Sequence, residues 1–419
     1  MHYKQDHYYK RKTSKMEVYV ARQPIFDKNQ KIYGYELLFR EGTENFFSGI
    51  DGNTATSKVL SNSFMNIGIT TITGGGLAFV NFTRDLLVKQ VPELFPKEKL
   101  VVEILEDVKP EQSVIKACKV LSNGGYFLAL DDFFYYSDMK PLIALSNMIK
   151  FDFQATPPEK IAEYLEKISG YRGSLLAEKV ETHEEVKTAL KMGFEFFQGY
   201  FFSKPEILKG KDISGTQMSL LEIMAEVNKT DFKFSKVEEI INRDVGISYK
   251  LMRYINSAFF RRVNEISSIK QAIVLLGEKG MRSFLSLIAM SKLAEDKPSE
   301  LVRSSIIRAK FCELIGMNNG SRANPSELFT LGLFSLIDAI LDDSMENLMK
   351  QLPLSESIKK ALIHGEGDLI DYLRLAVSYE KGEWDEVSTL VNSITVDEGD
   401  LPKFYLDALG WADALSSLN

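Results

Sequence analysis

The chain has 419 residues, of which 45% are hydrophobic and 26% charged, and its formal net charge is −7. This length exceeds what one ordinary hydrophobic core holds, so at least two globular domains are expected. The negative net charge argues against a broadly basic nucleic-acid-binding surface. No apolar run reaches the roughly 20 residues needed to span a bilayer. We therefore expect a cytoplasmic protein that contacts neither membrane nor nucleic acid.

The N-terminal segment and the cysteines add little chemistry. Residues 1–15 are basic and rich in tyrosine, with no apolar core typical of a signal peptide, so we expect a disordered tail before Met16. Cys118 and Cys312 are the only cysteines, and each falls in a helix-like pattern. Both are expected to fill the core rather than to carry redox chemistry.

Strand-like runs alternate with helical patterns from Met16 to about Pro205. Helix signals include a capping box that begins at Thr182 and the Pro157-Pro158 pair that opens another helix. Such alternation implies right-handed crossovers and a parallel sheet, and the number of units favours a closed barrel over an open sheet. The strands are predicted at 18–25, 32–39, 77–82, 100–105, 127–130, 148–153, 175–177 and 194–202.

Strand signals fade after Pro205, and a plausible linker at 210–215 leads into a helical second half. A capping box begins at Ser235, and apolar residues recur at helical spacing after it. The stripes comprise Leu251, Met252, Ile255 and Phe259, and then Leu301, Ser305, Ala309 and Cys312. The fold class is thus α/β followed by an all-α domain.

Two adjacent carboxylates, Asp131 and Asp132, end a short apolar run that is typical of a buried strand. Adjacent carboxylates repel, so a buried pair favours a nearby cation. Residues that react in such a barrel lie at the carboxyl ends of its strands. The other candidates at strand ends are Glu36, Asn81, Glu103, Lys150, Asp152, Glu178 and Gln198.

A single strand-end carboxylate is more often a helix cap or a solvated rim group. The whole set at one barrel mouth, however, would repel strongly without cations. Because it offers only oxygen ligands, it suits Mg²⁺ or Mn²⁺ rather than zinc. Lys150 could orient a water, and Arg40 could grip a phosphate. These residue types indicate metal-assisted attack of water on a phosphate ester.

The first half resembles EAL domains, the bacterial phosphodiesterases specific for the second messenger cyclic di-GMP. Glu36-Leu37-Leu38-Phe39-Arg40 is similar to the Glu-Ala-Leu-x-Arg signature of that family. The further motifs are Gln23-Pro24-Ile25, Asn81-Phe82-Thr83, the run 102–106, Asp131-Asp132-Phe133, Lys150-Phe151-Asp152, the run 177–182 and the run 198–205.

The resemblance implies a modified TIM (β/α)8 barrel and hydrolysis of cyclic di-GMP to linear pGpG with two divalent ions per site, Mg²⁺ or Mn²⁺. It implies that Lys150 positions the attacking water, with Glu178 and Gln198 beside it. Gln23, Arg40 and Asp152 are expected on the substrate side. The implied metal ligands are Glu36, Asn81, Glu103 and Asp131 for one ion, and Asp131, Asp132 and Glu178 for the second.

Three departures from the EAL pattern keep a second hypothesis open. Residues 134–138 replace a Gly-Thr-Gly-type loop, Leu37 replaces alanine, and Lys179 replaces the glycine beside Glu178. Glu106, which steadies that loop in the family, is present. None of these changes removes a ligand. The alternative is a degenerate EAL domain that acts as a cyclic di-GMP receptor or as a scaffold.

The second half resembles HDOD domains, relatives of HD phosphohydrolases that lack the metal-binding residues. The resemblance rests on the runs 240–251, 254–259 and 266–277. Only His364 of the chain's histidines lies in this half, so an HD-type metal centre is not expected. Asn256 is either part of a structural cap or a partner site. We expect a tail at 1–15, an EAL domain at 16–207 and a non-catalytic HDOD domain at 208–419. A signalling partner of the HDOD domain and a homodimer are further expectations.

Overall fold

A computed structural model describes residues 18–41, 69–201, 241, 245–256, 266, 268–293, 297–318, 323–352 and 354–416. Its first half is a closed barrel in which the strands follow one another in chain order, and the eight predicted strands are all present. The strands are β1 (Val18–Asp27), β2 (Ile32–Glu41), β3 (Leu77–Phe82), β4 (Leu100–Ile104), β5 (Phe127–Leu130), β6 (Met148–Asp152), β7 (Ser174–Glu178) and β8 (Phe196–Gln198). The fold class expected from the sequence is confirmed.

The helices of the barrel half begin where the sequence signals predict. The Thr182 hydroxyl accepts a hydrogen bond from the Glu185 backbone N–H, and the Thr182 backbone N–H donates one to the Glu185 carboxylate, which completes the capping box. Pro158 opens its helix. The helices are α1 (Ile69–Thr73), α2 (Arg84–Val88), α3 (Gln112–Asn123), α4 (Lys140–Leu145), α5 (Pro158–Lys167) and α6 (His183–Lys191).

The first strand departs from the parallel sheet that the alternation predicts. β1 is antiparallel to both of its neighbours, β2 and β8, whereas the other neighbouring strands are parallel. The reason is the short connection at 28–31, because a parallel pair needs a crossover of a dozen or more residues. The prediction of a wholly parallel sheet is therefore wrong for β1.

The barrel interior consists of an apolar layer beneath a polar one. Residues two apart on a strand face the same side, so each strand contributes to both layers. The lower layer consists of the buried residues Ile25, Phe79, Val101, Ala129, Met148 and Leu176. Two residues further along β3 to β7 come Asn81, Glu103, Asp131, Lys150 and Glu178. The polar layer thus rests on a floor that excludes water.

The second half is helical throughout the part that the structure describes, as predicted. Leu301, Ser305, Ala309 and Cys312 are buried as expected from their stripe, and Cys118 is also buried. The helices are α7 (Val245–Ile255), α8 (Ile269–Leu293), α9 (Ser299–Asn318), α10 (Pro325–Phe334), α11 (Ile337–Leu341), α12 (Met345–Gln351), α13 (Glu356–His364), α14 (Ile370–Lys381), α15 (Trp384–Ile394) and α16 (Leu401–Ser416). No described helix is long and apolar enough to cross a membrane.

Two sequence questions in the helical half have structural answers. The Asn256 side chain accepts a hydrogen bond from the Ile266 N–H at 2.7 Å and donates one to the Ile266 carbonyl at 2.9 Å. Asn256 therefore holds two chain segments together, which agrees with a structural role for this residue rather than with a partner site. His364 is exposed at the end of α13, where a metal centre is not expected. The N-terminal tail, the linker at 210–215, the Ser235 cap and Phe259 lie outside the described residues.

The helical half packs against both faces of the ribbon that β1 and β2 form. Within the described residues, β2 pairs with β3 only as far as Glu36, and β8 pairs with β1 only from Ile25 onward, so the ribbon projects past the barrel. On one ribbon face, Tyr19 packs edge-on against Trp384 with ring centroids 6.1 Å apart. On the other, the Tyr35 hydroxyl donates to Glu300 of α9 at 2.9 Å.

Glu300 is a buried carboxyl at this interface. Arg22 lies 3.7 Å from it, and Arg303 lies 3.9 Å from it on its own helix. Burial raises its pKa to about 7, although Arg22 and the Tyr35 hydrogen bond act to lower it and the more distant carboxylates of Glu380 and Asp413 act to raise it. Because the folded pKa exceeds the unfolded one, the proton is bound more tightly in the native state.

We therefore expect stability to fall as the pH rises from about 4.5 to 7, by up to about 3 kcal/mol from this group. Glu300→Gln removes the titration while it keeps an acceptor for Tyr35. Thermal unfolding of both proteins at pH 5 and pH 8 measures the effect. The wild-type melting temperature should drop relative to that of Glu300→Gln at pH 8. An identical difference at the two pH values would rule out the titration.

Candidate active site

Lys150 lies at the centre of the polar layer, where four carboxylates surround its ammonium group. Its Nζ is 2.5 Å from Glu103 Oε1, 2.7 Å from Asp131 Oδ1, 2.7 Å from Glu178 Oε1 and 3.3 Å from Glu36 Oε2. The lysine side chain and that of Glu103 are fully buried. One ammonium group therefore faces four carboxyl groups above an apolar floor.

Three amide side chains extend this cluster on the side of Glu36. Gln198 Nε2 donates to Glu36 Oε2 at 2.7 Å and to Gln23 Oε1 at 3.0 Å. Asn81 Nδ2 donates to Glu36 Oε1 at 3.3 Å. Gln23 and Glu36 are register partners of β1 and β2, and β8 brings Gln198 next to them. The fold thus joins residues that are far apart in the sequence.

A second ammonium group, that of Lys179, lies at the rim of the site. It pairs with Asp152 Oδ2 and lies 3.8 Å from Asp132 Oδ2. Asp152 also accepts hydrogen bonds from the backbone N–H groups of Gln154 at 2.7 Å and Ala155 at 2.8 Å. Asp132 and Lys179 both have a positive φ, 38° and 53°, which costs a residue with a side chain roughly 1–2 kcal/mol. Both strained residues therefore lie at this bridge.

The pKa shifts reflect burial and crowding. Burial raises the pKa of Glu103 and that of Glu178 well above the usual range, and Lys150 only partly offsets this. Burial and then Asp131 raise the pKa of Asp132. Burial opposes the charge of Lys150, but the surrounding carboxylates hold its pKa well above the usual value. Burial also acts on Asp152, yet the Lys179 and backbone hydrogen bonds lower its pKa overall.

The donor set fits a hard divalent cation. Within the described part of the chain, five buried side-chain oxygens of the site accept no hydrogen bond; they are Asn81 Oδ1, Glu103 Oε2, Asp132 Oδ1, Glu178 Oε2 and Gln198 Oε1. Buried oxygens without a partner are costly, and carboxylate and amide oxygens are the ligands that Mg²⁺ and Mn²⁺ take. Among the described residues, however, no three acidic, His or Cys side chains converge on one metal position. The carboxylates converge on Lys150 instead.

Most residues that the sequence singles out therefore lie together. Glu106 is exposed, and its role as an anchor of the loop 134–138 stays a prediction. The loop begins at a backbone hydrogen bond from Phe133 N–H to the Lys150 carbonyl, 3.0 Å long, and the Phe133 ring is buried. Phe134 and Tyr136 in the loop are 37% and 63% exposed. The side chain of Arg40 lies outside the described residues.

Comparisons with known proteins agree with the two halves of the fold. The EAL domain model matches residues 53–205 and the HDOD domain model matches residues 216–367. The Bacillus subtilis protein YuxH, whose function is uncharacterised, is 38% identical over 409 residues, which cover 96% of this chain and 99% of that protein. The chain belongs to the EAL–HDOD family.

Other relatives of this EAL–HDOD protein are known by activity or by structure. The Vibrio cholerae cyclic di-GMP phosphodiesterase CdgJ is 36% identical over 403 residues, 96% of this chain and 93% of that protein. An EAL domain protein from Listeria monocytogenes is 22% identical with a TM-score of 0.36, over 44% of this chain and 87% of that one. The Bacillus subtilis YkuI structure is a complex with substrate cyclic di-GMP and calcium. It is 19% identical with a TM-score of 0.37, and the match covers 62% of this chain and 72% of that one.

Sequence reasoning noted Lys179 as a departure from the family but missed its contacts. Its position gave a hint, because Lys179 directly follows the candidate ligand Glu178 at the end of β7. What the sequence did not reveal is that the residue adopts a positive φ, which aims its ammonium at Asp152 and Asp132.

Removal of that charge should strengthen metal binding. We expect Lys179→Met to bind Mn²⁺ about twofold to fivefold more tightly, because a half-exposed charge contributes roughly 0.2–1 kcal/mol. Calorimetric titration of the full chain with Mn²⁺ measures the change. Lys350→Met is the matched control, since Lys350 is an exposed lysine that pairs with Glu346 on α12, in the helical half. Equal affinity in both variants would contradict the charge effect.

Proposed function

We propose that the chain is a divalent-metal-dependent phosphodiesterase that hydrolyses cyclic di-GMP to pGpG. The observation that carries the proposal is the ring of four carboxylates around the buried Lys150 at the carboxyl ends of the barrel strands. The EAL match and the similarity to CdgJ over nearly the whole chain supply the substrate class. Activity in bacterial second-messenger signalling follows from that substrate.

The side chains of the site divide into metal-facing and substrate-facing groups. Glu36, Asn81, Glu103, Asp131, Asp132 and Glu178 would hold two ions, Mg²⁺ or Mn²⁺, which when bound supply charge and Lewis acidity at the phosphate. Lys150, already linked to four carboxylates, would hold the attacking water in place. The Gln198 amide would orient the Glu36 carboxylate, with which it shares a 2.7 Å hydrogen bond. Gln23, Arg40 and Asp152 would contact the nucleotide.

The domain division and the partners are part of the same proposal. We place the catalytic domain at residues 16–207 and the HDOD domain at 208–419. The family matches support this division, because the first ends at residue 205 and the second begins at residue 216. The HDOD domain would be a non-catalytic regulatory part that binds a signalling protein, and the EAL domain could pair in a homodimer.

A cyclic di-GMP receptor without turnover is the second candidate. The ion pairs of Lys179 with Asp152 and Asp132 favour it. They place a positive charge 3.8 Å from Asp132, a proposed metal ligand, where it would repel a metal ion. The aromatic loop 134–138, which departs from the family pattern beside that ligand, is a further reason. Binding of the nucleotide with no release of pGpG in Mg²⁺ or Mn²⁺ would identify a receptor.

Hydrolysis should depend on Glu36. We expect the purified chain to release pGpG from cyclic di-GMP in Mn²⁺, and Glu36→Gln to lower the rate by about 100-fold or more, a loss typical of a preorganised charge in a catalytic site. Chromatographic detection of pGpG provides the measurement. Glu163→Gln is the control, because Glu163 is a carboxylate on the outside of the barrel. The enzyme hypothesis fails if the wild type binds cyclic di-GMP and Mn²⁺ yet releases no pGpG.

A further inference from the structure

The last turn of α14 lies against the substrate side of the site. Gln23 Nε2 donates a hydrogen bond of 3.1 Å to the backbone carbonyl of Lys381. A carbonyl in the last turn of a helix has no acceptor role within the helix, so it is free to receive this bond. Residues 368–416 lie beyond both family matches, and neither match assigns them a role.

The Lys381 carbonyl dictates which way the Gln23 amide points. A carbonyl can only accept, so the Gln23 NH₂ group must face it and the Gln23 oxygen must face away. That oxygen accepts from Gln198 Nε2 at 3.0 Å, and the same Nε2 donates to Glu36 Oε2 at 2.7 Å. Glu36 in turn lies 3.3 Å from the Lys150 ammonium. The polarity of the contact between Gln23 and Gln198 therefore depends on the contact between Gln23 and the Lys381 carbonyl.

We propose that the Lys381 carbonyl is a positioning group that sets the orientation of Gln23, and through Gln198 that of Glu36. The relay is defined as Lys381, Gln23, Gln198 and Glu36. With Gln23 flipped, its NH₂ would face that of Gln198, and the resulting flip of Gln198 would turn an amide oxygen toward the Glu36 carboxylate. Such a mismatch of buried groups costs about 1–3 kcal/mol. The helical half therefore acts on the site through backbone.

The glycine that follows Lys381 fixes the distance between the helix end and the barrel. Gly382 ends α14 with a φ of 70°, and a Cβ there would lie 2.8 Å from Leu38 Cδ1. Leu38 is on β2, two residues past Glu36. Because Leu38 Cβ also lies 3.3 Å from that position, a side chain at 382 requires a shift of Leu38 or of the helix end, and a shift of the helix end would move the Lys381 carbonyl relative to Gln23.

Gly382→Ala is the test, with Gly365→Ala as its matched control. Gly365 ends α13 with a φ of 65°, so both substitutions strain the backbone, but a Cβ at 365 meets only the end of Arg374 at 3.9 Å. The inference rests on the proposed function. We expect Gly382→Ala to raise the Kd for cyclic di-GMP in Ca²⁺ about fivefold to tenfold, the equivalent of one lost hydrogen bond, and to raise KM more than it lowers kcat. Gly365→Ala should stay within about twofold of the wild type, since only the relay distinguishes the two variants.

Two further variants separate the relay from general damage. Leu38→Ala removes the Cδ1 and Cγ atoms that the new Cβ meets and leaves only the Cβ at 3.3 Å, so the double variant Leu38→Ala/Gly382→Ala should recover most of the affinity relative to Leu38→Ala alone. Equal losses in Gly382→Ala and Gly365→Ala, or no recovery in the double variant, would each overturn the relay.

The Mn²⁺ affinity of the same variants distinguishes a failure of the relay from a failure of the proposed function. Because Glu36 ends the relay, Gly382→Ala should weaken Mn²⁺ binding while Gly365→Ala does not. If the wild type binds no cyclic di-GMP, the proposed function fails and the relay is judged by Mn²⁺ affinity. An unchanged Mn²⁺ affinity in Gly382→Ala would then refute it.

Discussion

The crowding of four carboxyl groups around the buried Lys150 ammonium is the constraint on which the site depends. The ammonium faces four carboxylates above an apolar layer, where the dielectric is low and unpaired charges are costly. This geometry explains why the pKa values of Glu103 and Glu178 rise and why that of Lys150 rises with them. A polar layer of this composition is expensive to keep unless a cation binds there.

The layered interior also explains how much of the site the sequence predicts. An apolar residue followed two positions later by a polar one, as in Val101 and Glu103 or Met148 and Lys150, places the pair on one face of a strand. Once the strands are known, their ends must meet at one mouth. The candidate ligands could therefore be predicted from strand ends, and the EAL resemblance added the roles.

Other features depend on contacts that no local pattern encodes. The antiparallel direction of β1 follows from its short connection to β2, a signal that the alternation of elements obscured. The Gln23–Lys381 bond joins residues that are 358 positions apart, and a backbone carbonyl leaves no trace in the identity of its side chain. Lys179 is visible in the sequence, but its ion pairs require a positive φ.

A substitution of Lys150 tests whether the carboxylate site needs a cation for stability. Lys150→Met keeps a side chain of similar length but leaves four buried carboxylates without their ammonium, and breaking a buried pair costs about 3–5 kcal/mol. Thermal unfolding of the wild type and the variant, with a chelator and with Mn²⁺, tests this directly. We predict a clearly lower melting temperature for Lys150→Met in the chelator and a larger recovery in Mn²⁺ than in the wild type. Equal melting temperatures that do not respond to Mn²⁺ would contradict a cation-dependent carboxylate site.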